Sequence, residues 1–267
     1  MKQSLKTLIR ILVILLLYFL TQALVMTVFA AIGSTGAQGD IQGTMEAFLA
    51  EKAALISLLH NGLVIFCLLL YRHKSPAARE ALPFKALSLK EAAICLCSGM
   101  CFAFLVSMVL SLLPIPEAVL TQYSSSLEQS IAGSAAERLL AAALFAPIGE
   151  ELLFRGAIYG SFKKTYRRFI AIAASCALFG LMHQDPIRVI YAFLMGLGLT
   201  LTLDAYGTLS APILLHMGFN FAGLVMTPNI SDFAVFLLIG APIVCVLFIR
   251  HAMSLSRNIP PSQGDNK

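Results

Sequence analysis

GEELLFRG, residues 149–156, sets two adjacent carboxylates and a guanidinium inside a run, 138–160, that is otherwise apolar. A charge at the centre of a bilayer costs about 3 kcal/mol or more unless it faces a bundle interior or a wet cavity. Backbone at that depth has no water to bond, so the run must be helical. The stretch therefore decides the fold, because helical spans must pack around a polar interior to make Glu150, Glu151 and Arg155 tolerable. Glu151 and Arg155 stand four residues apart, share a helix face and can pair. Glu150 points about 100° away from Glu151 and has no cation on its own face. A buried carboxylate without a partner resists ionisation, which suits a general base or acid. Pro147 removes one backbone bond just before the pair, and Gly156 and Gly160 permit close helix approach.

The rest of the chain agrees with a membrane bundle. Of 267 residues, 58% are hydrophobic and 12% charged. A soluble domain has roughly twice that share of charge, so the surplus apolar surface must face lipid. Eight apolar spans can be drawn, at 8–32, 53–71, 92–113, 138–160, 169–184, 187–204, 208–227 and 232–250. The first is too long for the apolar core of a signal peptide and reads as a span. The sequence predicts an all-α polytopic membrane protein with an intramembrane cavity, one domain over 1–253 with its motif-bearing core at 138–227, and a short cytoplasmic tail at 254–267. Lys and Arg alternate between connections without exception, fifteen on one side against Lys52, Arg138 and Arg188 on the other. By the positive-inside rule both termini are expected in the cytoplasm. The pI of 8.9 follows from this bias. No basic surface interleaved with aromatics points to nucleic acid. The compact size fits a bacterial plasma membrane protein.

Two further spans carry titratable groups. FGLMH, 179–183, puts Phe179 and His183 on one face, and HMGFN, 216–220, does so for His216 and Asn220, with Pro212 one turn earlier. Each histidine alone could be a structural hydrogen-bonding residue. Together with Glu150 they point to a site. His60 and Asn61 on the second span read as a structural pair. The six cysteines lie inside apolar segments, lack metal-ligand spacing and read as packing residues.

EELLFR, FGLMH and HMGFN match, in order, the EExxxR, FxxxH and HxxxN motifs, each on its own span. The pattern resembles the CPBP family of intramembrane endopeptidases, the CAAX-protease and bacteriocin-processing (Abi) group. The resemblance implies that Glu150 and His183 activate a water, that His216 and Asn220 stabilise the oxyanion, and that Glu151, Arg155 and Phe179 shape the site. It also implies a peptide or lipidated-protein substrate within the bilayer. Hydrolysis of a peptide needs a deprotonated water, an acid for the leaving amine and donors for the oxyanion, which this residue set contains. No cofactor is favoured. Zinc held by Glu150, His183 and His216 is the alternative, against which stand the separate helices and the lack of HExxH spacing. An ion- or proton-coupled transporter would also bury such residues, and a non-enzymatic immunity or scaffold protein is the third possibility. Neither the spread of titratable groups nor any half-repeat favours a carrier.

Overall fold

The computed structural model describes residues 2–35, 39–130, 132–183 and 185–225. Among them are ten helices and no strand. They are α1 (Lys2–Ser34), α2 (Ile41–Glu51), α3 (Ala53–Lys74), α4 (Pro76–Ala81), α5 (Leu89–Leu112), α6 (Glu117–Ser130), α7 (135–163), α8 (Arg168–Leu181), α9 (Pro186–Tyr206) and α10 (Ser210–Val225). Seven of them coincide with the first seven expected spans. The eighth, 232–250, and the tail, 254–267, lie outside the described residues. The helices α1, α3, α5 and α9 are each long and apolar enough to cross a bilayer. Along α1, Leu12, Leu16, Leu20 and Leu24 are exposed at four-residue spacing, a stripe that suits lipid. The protein is an all-α, multi-pass membrane protein.

Three helices, α2, α4 and α6, stand where the sequence suggested only connections. Helix α6 is built largely of Ser, Gln and Glu, and α2 is short and half polar, so neither registers as a span. Asp40 caps α2 by accepting from the Gly43 amide, which fixes where it starts.

Contacts define two ends of the bundle. At one end the start of α1 meets the turn after α7 through Thr7 and Thr165, whose hydroxyls lie 2.7 Å apart. The Lys164–Glu80 ion pair and the Lys85 amide bond to Thr208 join α4 and the loop before α10 to the same end. At the other end the Ala54 amide donates to the Ala132 carbonyl, and Arg188 donates to Ser126 of α6. The first end carries three Lys/Arg on the opening turns of α1, five between 72 and 90, and four between 163 and 168. The second carries Lys52, Arg138 and Arg188. The charge alternation in the sequence is thus a physical polarity of the fold.

Helices α5 and α10 cross backbone to backbone. A Cβ on Gly99 would collide with the Leu215 carbonyl, and one on Gly218 with the Leu96 carbonyl. In α7 the glycines seat neighbours in the same way. Gly149 faces the Asn61 side chain of α3, while Gly156 and Gly160 receive Leu82 and Ala81. Five described cysteines, Cys67, Cys95, Cys97, Cys101 and Cys176, are free thiols on these helices.

Candidate active site

The site is organised by α7, whose first turn is closed by a reciprocal bond set. The Ser134 hydroxyl accepts from the Glu137 amide, and the Glu137 carboxylate accepts from the Ser134 amide at 2.7 Å. These bonds hold the Glu137 carboxyl below its ordinary pKa. The helix then alternates between ordinary turns and wider π turns, the latter over Leu139–Phe145 and Glu151–Tyr159. Wide turns of this kind often mark functional positions. In the first of them the Ala146 amide donates five residues back, to the Ala141 carbonyl. Pro147, next in line, has no amide to offer Ala142. Asn220 of α10 supplies the missing donor, its Nδ2 lying 2.8 Å from the Ala142 carbonyl. The HxxxN asparagine thus satisfies a bond that the proline of another helix removed.

The second wide turn begins at the paired carboxylates. Glu151 is completely buried, and one of its oxygens accepts from Arg155 Nη1 at 3.0 Å and from His216 Nδ1 at 2.9 Å. An ionised carboxylate can only accept, so this contact places a proton on Nδ1 of His216. The other ring nitrogen, Nε2, lies 3.8 Å from Glu150 Oε2. Glu151 Oε2 and Arg155 Nε and Nη2 have no hydrogen-bond partner among the described residues. The guanidinium instead lies over the Phe179 ring, 4.1 Å from its centroid, an arrangement favourable to a cation.

Phe179 joins the three motifs. Besides Arg155, its ring meets His183 with centroids 5.1 Å apart and His216 edge-on at 5.9 Å and 90°. Phe154 packs on it at 5.1 Å. His183 follows the end of α8, and its Nδ1 donates to the Phe179 carbonyl at 3.0 Å. In the neutral ring that bond fixes the tautomer and leaves Nε2 with a lone pair. His183 and Glu150 both line a cavity of about 420 Å³, together with Tyr18, Ser126, Gln129 and Arg188. Glu151, Arg155, His216 and Asn220 are not part of this lining and stand behind it. The residues taken from the sequence therefore separate into three that line the cavity, Glu150, His183 and Phe179, and four that brace it, with Phe179 in contact with both groups.

Sequence reading missed the far wall. Tyr18 is the one tyrosine of α1, yet within an apolar run it resembles any packing aromatic. Arg188 appeared only as a charge in a connection. His60 is buried beside Tyr18, with ring centroids 4.6 Å apart, and Asn61 donates to the Ser57 carbonyl. His60 backs the cavity-lining Tyr18, while Asn61 packs against Gly149 of α7. For zinc, Glu150, His183 and His216 would have to converge. Among the described residues no three His, Cys, Asp or Glu side chains do so with ligand geometry, so no step is routed through a metal.

Residues 133–222, which hold all three motifs and the cavity-lining Glu150, His183 and Arg188, match the model of the Rce1-like family, described as type II CAAX prenyl endopeptidase. That segment, about a third of the chain, is similar to the CAAX-protease family. Comparison with curated proteins and with solved structures gave no match. The matched segment begins at the Ser134–Glu137 bond set and ends within α10, so α1 and α6 contribute cavity walls from outside it. The likeness supports a hydrolase, a protease held in the membrane.

Proposed function

We propose that the protein is an intramembrane endopeptidase that cuts a membrane-associated or lipid-modified peptide, in CAAX-type or bacteriocin-type processing, with a water activated by Glu150 and His183. The observation that supports this most is their separation from the bracing groups. Glu150 and His183 face one cavity from two helices, while Glu151 is held by Arg155 and His216 behind them. In this mechanism Glu150 takes a proton from the water, and the lone-pair nitrogen of His183 helps orient it. The protonated Glu150 then donates to the leaving amine. His216, with Nδ1 committed to Glu151, is a donor to the oxyanion through Nε2 only as the imidazolium, and its Nε2 lies 3.8 Å from Glu150. Asn220, with an amide hydrogen committed to Ala142, acts by holding the Pro147 bend in place.

No metal is needed for these steps. Purified protein should cleave peptide after exhaustive chelation. Stoichiometric zinc whose removal abolishes activity, and whose return restores it, would overturn the metal-free mechanism. The assignment of Glu150 itself is tested by Glu150→Gln, which keeps the shape of the side chain and removes the base. Cleavage should fall by about 10²–10⁴-fold while thermal unfolding in detergent is unchanged. The proposed setting is the plasma membrane, with the basic end of the bundle in the cytoplasm.

A further inference from the structure

We infer that a groove between α1, α3 and α7 holds an anionic phospholipid of the leaflet bordering the basic end of the bundle, with one acyl chain in the groove and the phosphate at its mouth. The groove has a volume of about 550 Å³, and its wall is mostly apolar. It is built from Ile14 and Leu17 on α1, Val64 and Leu68 on α3, and Leu153 and Ala157 on α7. Val13 and Leu17 on its lip are exposed, so a chain can enter sideways from the bilayer. The groove runs lengthwise along α1, and Arg10 at its mouth and Thr21 at its inner end stand roughly 16 Å apart by the helix rise.

The mouth is cationic. Arg10 and Lys164 both line it. Thr7, one turn before Arg10, touches Thr165, the neighbour of Lys164, so the two cations share one end. Lys164 is paired with the exposed Glu80 at 2.8 Å, while Arg10 has no ion pair among the described residues. Lys164 and Ala81 also border a polar cavity of the basic end, about 1140 Å³, which carries Lys85 and Arg167 and reaches inward to Tyr159 and Arg155. An apolar slot that opens among cations is complementary to a hydrocarbon tail with an anionic head, and basic pockets between membrane helices bind such headgroups. The inner end fixes the polarity of the occupant. Tyr18 lines both the groove and the catalytic cavity, where Glu150 stands. A lipid attached to a peptide under cleavage would set its polar end there and its tail against Arg10 and Lys164. A phospholipid of the bordering leaflet enters with the opposite polarity, which matches. The site needs the membrane setting and not the endopeptidase reading.

The chain has no tryptophan, so a single one placed in the full chain reports on its own surroundings. Leu17→Trp and Tyr71→Trp stand on the groove wall, and Phe66→Trp, exposed on α3 outside the groove, reports on bulk lipid. Each variant is reconstituted in phosphatidylcholine vesicles holding an equal small fraction of either phosphatidylglycerol or phosphatidylcholine with brominated acyl chains. Fluorescence quenching is then compared between the two lipids, so that depth cancels. Both groove reporters should show a preference for phosphatidylglycerol of about fivefold or more, as expected for two cations near the membrane surface, and Phe66→Trp should show none. Arg10→Gln with Lys164→Gln should abolish the preference. Equal quenching by the two lipids at either groove reporter, the same preference at Phe66→Trp, a preference that survives loss of both cations, or no quenching in the groove would each overturn the inference. A protein that keeps the preference but cleaves nothing would defeat the endopeptidase reading alone.

Discussion

Glu150 and Glu151 are neighbours in the chain with opposite surroundings. Glu151 is fully buried against a cation and an imidazole, whereas Glu150 keeps about 20% of its side chain exposed to the cavity. Substitutions should separate them. Arg155→Ala leaves Glu151 as a buried charge held by His216 alone, and breaking such a pair typically destabilises by about 3–5 kcal/mol. Thermal unfolding in detergent should drop accordingly, and Glu151→Gln with Arg155→Met together should recover part of the loss. Asn220→Ala strands the Ala142 carbonyl, a loss of about 1–3 kcal/mol. If Asn220 is there to replace the Pro147 amide, the same change made in Pro147→Ala should be milder, because a backbone donor returns. Equal losses in both backgrounds would break that link. The Glu151–Arg155 pairing was legible from four-residue spacing alone. The bond from Asn220 to Ala142 was not, because it depends on a wide turn that no side-chain pattern announces.

At the level of helices, hydropathy located seven spans because each is a long apolar run. It passed over α6, whose Ser and Gln residues face water at the cavity rim. It also gave no sign that α7 changes its hydrogen-bond register twice, since the register is a property of the backbone. The α5–α10 crossing shows what glycine does in such a bundle. With Gly99 and Gly218 set against opposing carbonyls, Gly99→Ala must push the helices apart. Overpacking of that kind typically costs about 1–3 kcal/mol. The thermal midpoint in detergent should fall, and Gly223→Ala on the same α10, where a Cβ meets nothing within 4 Å, should leave it unchanged. Equal shifts for the two variants would show that the crossing is not tight.

For the molecule as a whole, the two ends differ in charge, in connections and in the cavities they open. Asp204, near the end of α9, ties the basic end together. It accepts from Tyr159 at 2.9 Å and is paired with Lys163 and Arg168 at 2.9 and 3.0 Å. Asp204→Asn should loosen the junction of α7, α8 and α9 and speed proteolytic nicking at 163–168 more than it slows cleavage of substrate. The layer of Arg155 on Phe179 has a consequence of another kind. A membrane that stores an electrical potential cannot tolerate a wet path through one of its proteins, and here two cavities approach each other with Arg155 over Phe179 between them. That pair is insulation. The Phe179 ring excludes water between the cavities, so Phe179→Ala should open a leak, seen as faster decay of a pH gradient across proteoliposomes.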